Sequence, residues 1–512
     1  VASPLVIDIN NDNKNEIVIG DKNGFIFVFN TDGSIYGDGL FPFNTSANPE
    51  SISNGGSGQI WGSAAAADFN NDGYVEFVIP SKSKHLYLFD YQGYTTYNAD
   101  NYLIGTPSIG NIDNQEGLDI VFTAYSSTST LFVINSNGED LNGFPLGLGA
   151  KTKAGPALAD FNDNGKEDIV IGLDNNMLFL VYDDGTIANG FPFEPSDSIY
   201  NLEDYPNGIP SNRSMDLSPS IIEINGEKVI IIGSTDNNLY AINQDGSLRF
   251  YVHMEKDIVA SPSFVKYNQS DYIFFGSKDS LIHAVNINGE SLNGWPINAG
   301  SPITESVVFS DIDCDGEIEA IVANSDHILA FSMDGKTKET FPIKGETTFT
   351  GPTMIIDLDQ DGDLEIICGQ NGNLSGIDIK STFNLTNSWN MFRGNMARTG
   401  YYNSNLSSEN LGCSVLSTEL DYSIPKGFTL HKIYPNPFNP ISNISFSIQK
   451  YQYVSIDIYD IRGRLIKKLF SGFKFPGEYK INWDASQFPS GLYLIQLKTN
   501  RHKESQKVLL IK

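Results

Sequence analysis

Cysteine, histidine and long apolar runs are all scarce in this chain of 512 residues. The three cysteines, Cys314, Cys368 and Cys413, cannot form a disulfide framework and include no CxxC pair for zinc. The six histidines are scattered and lack the spacing of a metal site. No apolar stretch approaches the roughly 20 residues that a membrane-spanning helix needs. We therefore expect neither a disulfide-bonded or zinc-stabilised fold nor a transmembrane segment.

Positive charge is also scarce, and it is unevenly placed. The chain has 33 basic and 62 acidic residues, for a net charge of -29. Residues 430–512 hold 13 basic and 5 acidic residues, a net charge of +8, whereas the remainder holds 20 and 57, a net charge of -37. Because so acidic a body repels phosphate backbones, we expect no nucleic-acid partner. Clustered carboxylates would favour bound cations instead.

Signatures of catalysis are missing as well. The chain contains no GxSxG elbow, no HExxH motif and no P-loop. A binding module is therefore a better hypothesis than an enzyme. The alternative is a secreted polysaccharide-degrading enzyme, or the non-catalytic part of a hydrolase whose N-terminal catalytic domain is missing. The chain begins inside a repeat unit without Met, so we expect a mature form or a fragment.

One unit recurs through residues 1–402. It consists of an apolar strand, a loop rich in Asp and Asn, a second apolar strand, and a third strand between glycine-containing turns. Six units carry the acidic loop, and two further units near residues 223 and 266 keep the strands without it. Eight units of about four short strands predict an all-β fold, a β-propeller with one sheet per blade. Two stacked β-sandwiches are the alternative, which the regular period disfavours.

The acidic loops have the spacing of a cation site. In the second unit, side-chain oxygens stand at relative positions 1, 3, 5 and 9, on Asp68, Asn70, Asp72 and Glu76. Gly73 at position 6 permits a sharp bend, and the carbonyl at position 7 can add a ligand. Hard oxygen donors without His or Cys select Ca²⁺. Ordinary Asx turns without metal are the alternative for any single loop, but recurrence at the same place in six units disfavours it.

We predict about five or six structural Ca²⁺ ions, held by the side chains at positions 1, 3, 5 and 9 and by the carbonyl at position 7. The third loop has only two carboxylates, with Gln115 at position 5, and should bind weakly. The predicted ligands are Asp8, Asn10, Asp12, Lys14, Glu16, Asp68, Asn70, Asp72, Tyr74, Glu76, Asn111, Asp113, Asp119, Asp160, Asn162, Asn164, Lys166, Asp168, Asp311, Asp313, Asp315, Glu317, Glu319, Asp357, Asp359, Asp361, Asp363 and Glu365.

Five of the loops match the pattern Asp-x-Asn/Asp-x-Asp-Gly-x-x-Asp/Glu, and through it residues 1–402 resemble FG-GAP (VCBS-type) repeats. Such repeats build integrin α-subunit propellers and many bacterial surface proteins. The resemblance implies structural calcium between the first two strands of a blade, with ligands bound on the opposite face. Integrin propellers have seven blades, whereas eight units occur here, so seven or eight blades are expected. Residues 389–400 resemble the closing element of bacterial propellers.

Two long insertions, at residues 34–62 and 194–216, carry aromatic side chains. Aromatic residues on loops suit the binding of a protein or a sugar, although packing of the loops explains them equally well. We predict an unidentified protein or glycan ligand at Tyr36, Trp61, Tyr200 and Tyr205.

The chain changes character after Tyr402. Residues 403–430 lack periodicity and indicate a linker. Residues 431–512 alternate apolar and polar side chains, as in Ile444-Ser445-Phe446-Ser447-Ile448, and predict a small immunoglobulin-like β-sandwich.

The motifs of this second domain carry a further resemblance. They are Tyr434-Pro435-Asn436-Pro437-Phe438-Asn439-Pro440, Tyr459-Asp460-Ile461-Arg462-Gly463-Arg464, Gly477-Glu478-Tyr479 and Ser490-Gly491-Leu492-Tyr493. Residues 431–512 thereby resemble the type A sorting domain of the type IX secretion system. The resemblance implies a protein of Bacteroidetes or related phyla, recognised by the secretion translocon. We therefore expect a calcium-stabilised binding or adhesion module that is secreted or held on the outer-membrane surface of a Gram-negative bacterium.

Overall fold

The computed structural model divides into two compact units, residues 1–415 and residues 416–512. Most of the predicted linker lies outside the described residues, as do Cys314 and Cys413. The structure describes all residues except 1, 38, 48–56, 116, 201–204, 206–207, 209, 211, 314, 380–388, 405–427, 449–451, 475–476, 500–501 and 512.

The described part of the first unit forms eight antiparallel sheets, one for each repeat and in chain order. The first sheet has β1 (Leu5–Ile7), β2 (Glu16–Gly20), β3 (Phe25–Asn30) and β4 (Phe43–Asn44). The second has β5 (Ala65–Ala67), β6 (Glu76–Pro80), β7 (His85–Phe89) and β8 (Tyr94–Asn98). The third has β9 (Ser108–Gly110), β10 (Asp119–Thr123) and β11 (Leu131–Ile134), and the fourth has β12 (Ala157–Ala159), β13 (Asp168–Gly172) and β14 (Leu178–Val181).

The remaining four sheets repeat the pattern. The fifth has β15 (Ser220–Ile224), β16 (Glu227–Gly233), β17 (Asn238–Asn243) and β18 (Leu248–His253). The sixth has β19 (Ser263–Tyr267), β20 (Ser270–Gly276), β21 (Leu281–Asn286) and β22 (Ile297–Asn298). The seventh has β23 (Val308–Ser310), β24 (Glu319–Ala323), β25 (His327–Ser332) and β26 (Ile343–Lys344), and the eighth has β27 (Met354–Ile356), β28 (Glu365–Gln370) and β29 (Asn373–Asp378).

The predicted all-β fold class is confirmed. The described helical turns are two short 3₁₀ segments, η1 (Thr45–Ala47) and η2 (Asp197–Ile199). The second strand of each blade is apolar and almost entirely buried because neighbouring sheets cover both of its faces. Packing also joins the two ends of the series: Val6 and Ile17 of the first sheet share a cluster with Met354 and Ile367 of the eighth.

Residues 389–404, here called the central segment, connect the inner strands of the sheets. Backbone N–H groups of six inner strands donate to its carbonyls at 2.7–3.0 Å; the donors are Ala66, Ile109, Leu158, Ile221, Phe309 and Ile355. Its last part forms β30 (Tyr401–Asn403), which pairs in parallel with β15. Ser404 Oγ donates to Asp271 Oδ2 in the sixth blade at 2.6 Å. One short stretch of chain therefore ties together strands that are distant in sequence.

Two arginines of the central segment are buried and bind backbone carbonyls. Arg398 donates to the carbonyl oxygens of Ala64, Phe392 and Pro4 at 3.1, 2.6 and 2.9 Å. Arg393 donates through Nε to the carbonyl of Arg398 at 2.7 Å. Burial lowers the pKa of both guanidiniums to about 9. The Arg398 carbonyl contacts extend to the first and second blades, so this side chain is part of the structural core.

The second unit is a two-sheet β-sandwich, as predicted. Its strands are β31 (Thr429–Leu430), β32 (Ile441–Ile448), β33 (Gln452–Asp460), β34 (Leu465–Lys474), β35 (Gly477–Asp484), β36 (Gly491–Lys498) and β37 (Lys503–Leu510). One sheet has the order β31-β32-β35 and the other β34-β33-β36-β37. Their inner faces enclose the fully buried Trp483.

The proline-rich motif at the start of the sandwich holds its last strand. Asn436 Nδ2 donates to the Lys507 carbonyl, and Asn436 Oδ1 accepts from the Leu509 N–H, both at 2.9 Å. Phe438 is buried, its N–H donates to the Leu509 carbonyl, and its carbonyl accepts from the Ile511 N–H. The motif thus has a structural role in fixing the C-terminal strand.

Replacing Arg398 with Met should destabilise the propeller by about 2–5 kcal/mol, because three buried carbonyls lose their donor. Urea unfolding of the full chain measures the change. Arg249→Met is the matched control, since Arg249 is partly exposed and its ion-pair distance to Glu227 is 3.7 Å. The control should change stability by no more than about 0.5 kcal/mol. Equal effects of the two substitutions would refute a core role for Arg398.

Candidate metal centres

The six acidic loops occupy equivalent places, between the first and second strands of a blade. In each of them the carboxylate at position 9 belongs to the first residue of the second strand and is buried. These six residues are Glu16, Glu76, Asp119, Asp168, Glu319 and Glu365. The strand fixes their backbone, so this carboxylate occupies the same place in each of the six loops.

A single hydrogen bond recurs in all six loops. The backbone N–H at position 2 donates to the carboxylate at position 9, with lengths of 2.5–3.1 Å. In the second loop, for example, Phe69 N donates to Glu76 Oε2 at 3.1 Å. This bond, here called the loop clamp, closes the loop across its two ends and leaves the second carboxylate oxygen for another partner.

Asx-type hydrogen bonds shape the rest of each loop. In the second loop, Asn70 Oδ1 accepts from the Asp72 N–H at 2.8 Å, and Asp72 Oδ1 accepts from the Tyr74 N–H at 2.9 Å. Asp68 Oδ2 accepts from the Gly73 N–H at 3.0 Å. Gly73 has a φ of +96°, a conformation that favours glycine at position 6. Backbone N–H groups of the same loop therefore fix the orientation of the predicted ligand side chains at positions 1, 3 and 5.

Carboxylate oxygens lie within 4.8 Å of one another in three loops: Asp68, Asp72 and Glu76; Asp311, Asp313 and Asp315; and Asp359, Asp361, Asp363 and Glu365. In the eighth loop, Asp357 Oδ1 is buried and has no hydrogen-bond partner among the described residues. Oxygen donors at this spacing fit a hard divalent cation. The first and fourth loops have the same Asx pattern, with Asn10 and Asn162 at position 3.

The carboxylates at position 9 have raised pKa values. Burial, followed by the charges of Asp68 and Asp72, raises the pKa of Glu76 to about 8. Burial is also the largest cause at Glu16, Asp119, Asp168, Glu319 and Glu365, where the pKa rises to about 7. A bound cation would reverse this effect by stabilising the ionised form.

The residue at position 8 connects neighbouring blades, a role that the sequence analysis missed. Glu167 Oε2 of the fourth blade accepts from the Asn111 N–H of the third at 2.8 Å. Asn15 Nδ2 of the first blade donates to the Leu358 carbonyl of the eighth at 3.0 Å. Polar residues at a position otherwise occupied by Val75, Ile318 and Leu364 were the available signal.

The four aromatic residues predicted to bind a ligand differ in their surroundings, and Tyr200 and Tyr205 pack against each other with ring centroids 5.6 Å apart. Tyr36 follows β3 and hydrogen-bonds Asn10, so it lies beside the first acidic loop. Trp61 precedes β5 and is 41% exposed, with Lys82 Nζ 4.0 Å from its ring centroid. Tyr200 and Tyr205 are 6% and 5% exposed. Trp61 is the residue of this set that offers a large accessible ring.

Tyr200 and Tyr205 belong to a buried hydrogen-bond network around Asp236. The Tyr200 hydroxyl donates to Asp236 Oδ2 at 2.9 Å, and the Tyr205 hydroxyl donates to the Asp236 carbonyl at 2.8 Å. Tyr240 donates to the same carboxylate at 2.8 Å. This network packs the insertion against the fifth blade, which is the alternative that the sequence left open for these residues.

Comparison with known families finds one match in each part of the chain. Residues 8–79 match the FG-GAP-like repeat, and residues 432–512 match the secretion system C-terminal sorting domain. Both resemblances are thereby confirmed for the matched residues. The sorting domain marks the protein for export to the cell surface or the medium. Among the described residues, no helix is long and apolar enough to cross a membrane.

Solved structures match over longer stretches at low identity. BBS1N, from a complex with ARL6DN soaked with lead, is 12% identical over 62% of this chain and 90% of its own, with a TM-score of 0.41. BamB from Moraxella catarrhalis is 14% identical over 63% and 91%, with a TM-score of 0.42. The V. cholerae biofilm matrix protein Bap1 is 13% identical over 80% and 94%, with a TM-score of 0.38. No curated protein matches the chain.

In calcium-free protein and buffers, the melting temperature of the propeller should fall as the pH rises from about 5 to about 8. The folded-state pKa values of the position-9 carboxylates lie above their unfolded values, so their contribution is full at low pH and is lost through pH 7–8. Thermal melts at several pH values measure this. Glu76→Gln cannot ionise and should reduce the fall. An identical pH dependence in wild type and variant would contradict the assignment.

Proposed function

We propose that the protein is an exported, calcium-stabilised β-propeller that acts as a binding or adhesion module. The loop clamp carries the calcium part of the proposal, because it recurs in six loops and leaves buried carboxylate oxygens facing further acidic ligands. Carboxylates this close repel one another unless a cation lies between them. Calcium suits the oxygen donors, and its role is structural because each loop joins the first two strands of a blade.

The predicted ligand residues would coordinate the ion through side-chain oxygens at positions 1, 3, 5 and 9. The backbone at position 7 is well placed to contribute its carbonyl, since its N–H is already bound to the position-5 side chain. Those residues are Lys14, Tyr74, Lys166, Glu317 and Asp363. The bound ion supplies the positive charge that lets the buried position-9 carboxylate remain ionised.

The ligand site that we propose is centred on Trp61. This side chain lines a cavity of about 200 Å³ with Lys153, Asp216, Ser218 and Glu305. An exposed aromatic ring next to charged and hydroxyl groups suits a sugar, which can stack on the ring and hydrogen-bond to its surroundings. A peptide with polar side chains meets the same requirements.

Trp61→Ala should abolish the strongest binding signal that the full chain gives on a glycan array or a peptide library, because it removes the stacking surface. Tyr251→Ala is the control: Tyr251 is similarly exposed, at 38%, but lies on the edge strand β18. Both variants should keep the wild-type melting temperature. If Trp61→Ala binds as wild type does, or both variants lose binding equally, the site lies elsewhere.

The second unit serves as the signal for export. Its proline-rich motif leaves Tyr434 73% exposed, and the turn after β33 leaves Ile461 76% exposed. Basic residues lie beside that turn, at Arg462 and Arg464. Exposed apolar side chains on a small folded domain mark a surface for a protein partner. We assign the type IX translocon as that partner.

Deleting residues 431–512 should leave a folded propeller in the periplasm of a host that has a type IX system, because the export signal is removed. Fusing these residues to an unrelated periplasmic passenger should send the passenger to the surface or the medium. Immunoblots of the cell fractions, with protease protection as the folding control, measure both. Export of the truncated chain, or retention of the fusion, would contradict the assignment.

A further inference from the structure

The seventh acidic loop already contains a cation, which is a side chain of the same blade. Lys338 follows β25, and its Nζ lies 2.6 Å from Asp313 Oδ2, 3.0 Å from Asp315 Oδ2 and 3.0 Å from Glu319 Oε1. These carboxylates stand at positions 3, 5 and 9 of the loop. The ammonium thus contacts three of the groups that would otherwise bind the metal.

The acidic loop encloses most of Lys338, whose side chain is 14% exposed. A lysine side chain is ordinarily protonated at neutral pH, so it brings a positive charge to this place. Glu319 Oε1 has no hydrogen-bond partner among the described residues other than this lysine pairing. The lysine ammonium therefore balances the negative charge of the loop carboxylates that it contacts.

In four other blades the same backbone contact defines the position equivalent to Lys338, and none of the four carries a basic side chain there. The backbone N–H at this position donates to the third strand in five blades: Tyr36 to Val28, Leu141 to Val133, Ala188 to Leu180, Leu292 to Ala284, and Lys338 to Ala330. The equivalence is therefore structural. In the fourth blade, which has a well-formed acidic loop, the side chain here is only the methyl group of Ala188. The fourth loop therefore receives no positive charge from this position.

We infer that the Lys338 ammonium is the permanent cation of the seventh loop and excludes calcium from it. This inference rests on the proposed function and revises it at one place: the other acidic loops bind calcium, whereas the predicted ligands of the seventh loop, Glu317 included, do not. A metal ion in the seventh loop would need the same three carboxylates, and two cations cannot share them without strong repulsion. The seventh blade is then stable whether or not calcium is present.

Exchanging the side chains of the two blades tests the inference. Lys338→Ala gives the seventh blade the residue of the fourth, and Ala188→Lys does the reverse. The number of calcium ions bound by the full chain is counted by native mass spectrometry and calorimetry. Lys338→Ala should bind one ion more than wild type. Its melting temperature should also fall further than that of wild type when EGTA is added. Ala188→Lys should bind one ion fewer.

Lys336→Ala is the matched control, because Lys336 is exposed and pairs with Asp334 rather than with the loop. It should bind as many ions as wild type. An unchanged ion count in folded Lys338→Ala would overturn the inference, and this readout suffices if Ala188→Lys does not fold. If wild type binds no calcium at all, the proposed function fails. In that case the two variants are compared with wild type in EGTA. Lys338→Ala should lower the melting temperature more than Lys336→Ala does, and equal melting temperatures of the two variants would overturn the inference.

Discussion

A buried carboxylate at the start of the second strand is the constraint on which each acidic blade depends. Glu76 shows the problem clearly, since it is enclosed by protein and lies next to Asp68 and Asp72. One of its oxygens accepts the loop-clamp hydrogen bond, which fixes the path from the first strand to the second. The other accepts from Asn70 Nδ2 at 3.1 Å, which leaves the buried negative charge to be balanced by a proton or a cation. In the proposed account a calcium ion balances it at neutral pH.

The propeller supplies positive charge from inside its own chain at two kinds of site. Lys338 neutralises the seventh loop, and Arg393 and Arg398 bind the carbonyls of inner strands. With these three side chains counted, the net charge outside residues 430–512 is still -37. In this account calcium stabilises the acidic loops, whereas the central segment stabilises the inner strands. In five blades the acidic loop directly follows the inner strand that the central segment bonds.

The sequence predicted the repeats and most of the loop chemistry because both depend on spacing within one stretch of chain. The position-9 carboxylates, the bend at Gly73 and the two-sheet C-terminal domain all follow from local pattern. Lys338 could not be predicted in this way, since a hairpin brings it to a loop that precedes it by two strands. The burial of Tyr200 depends likewise on Asp236, a residue of another strand connection. Local spacing carries no information about such partners.

Anomalous X-ray diffraction from crystals of the full chain grown in calcium tests the central claim most directly. The account predicts strong calcium peaks in the first, second, fourth and eighth loops, each next to its position-9 carboxylate. It predicts a weaker peak in the third loop, where Gln115 replaces a carboxylate, and lysine density without a peak in the seventh. Loops without any calcium peak, although the crystal contains the ion, would contradict it.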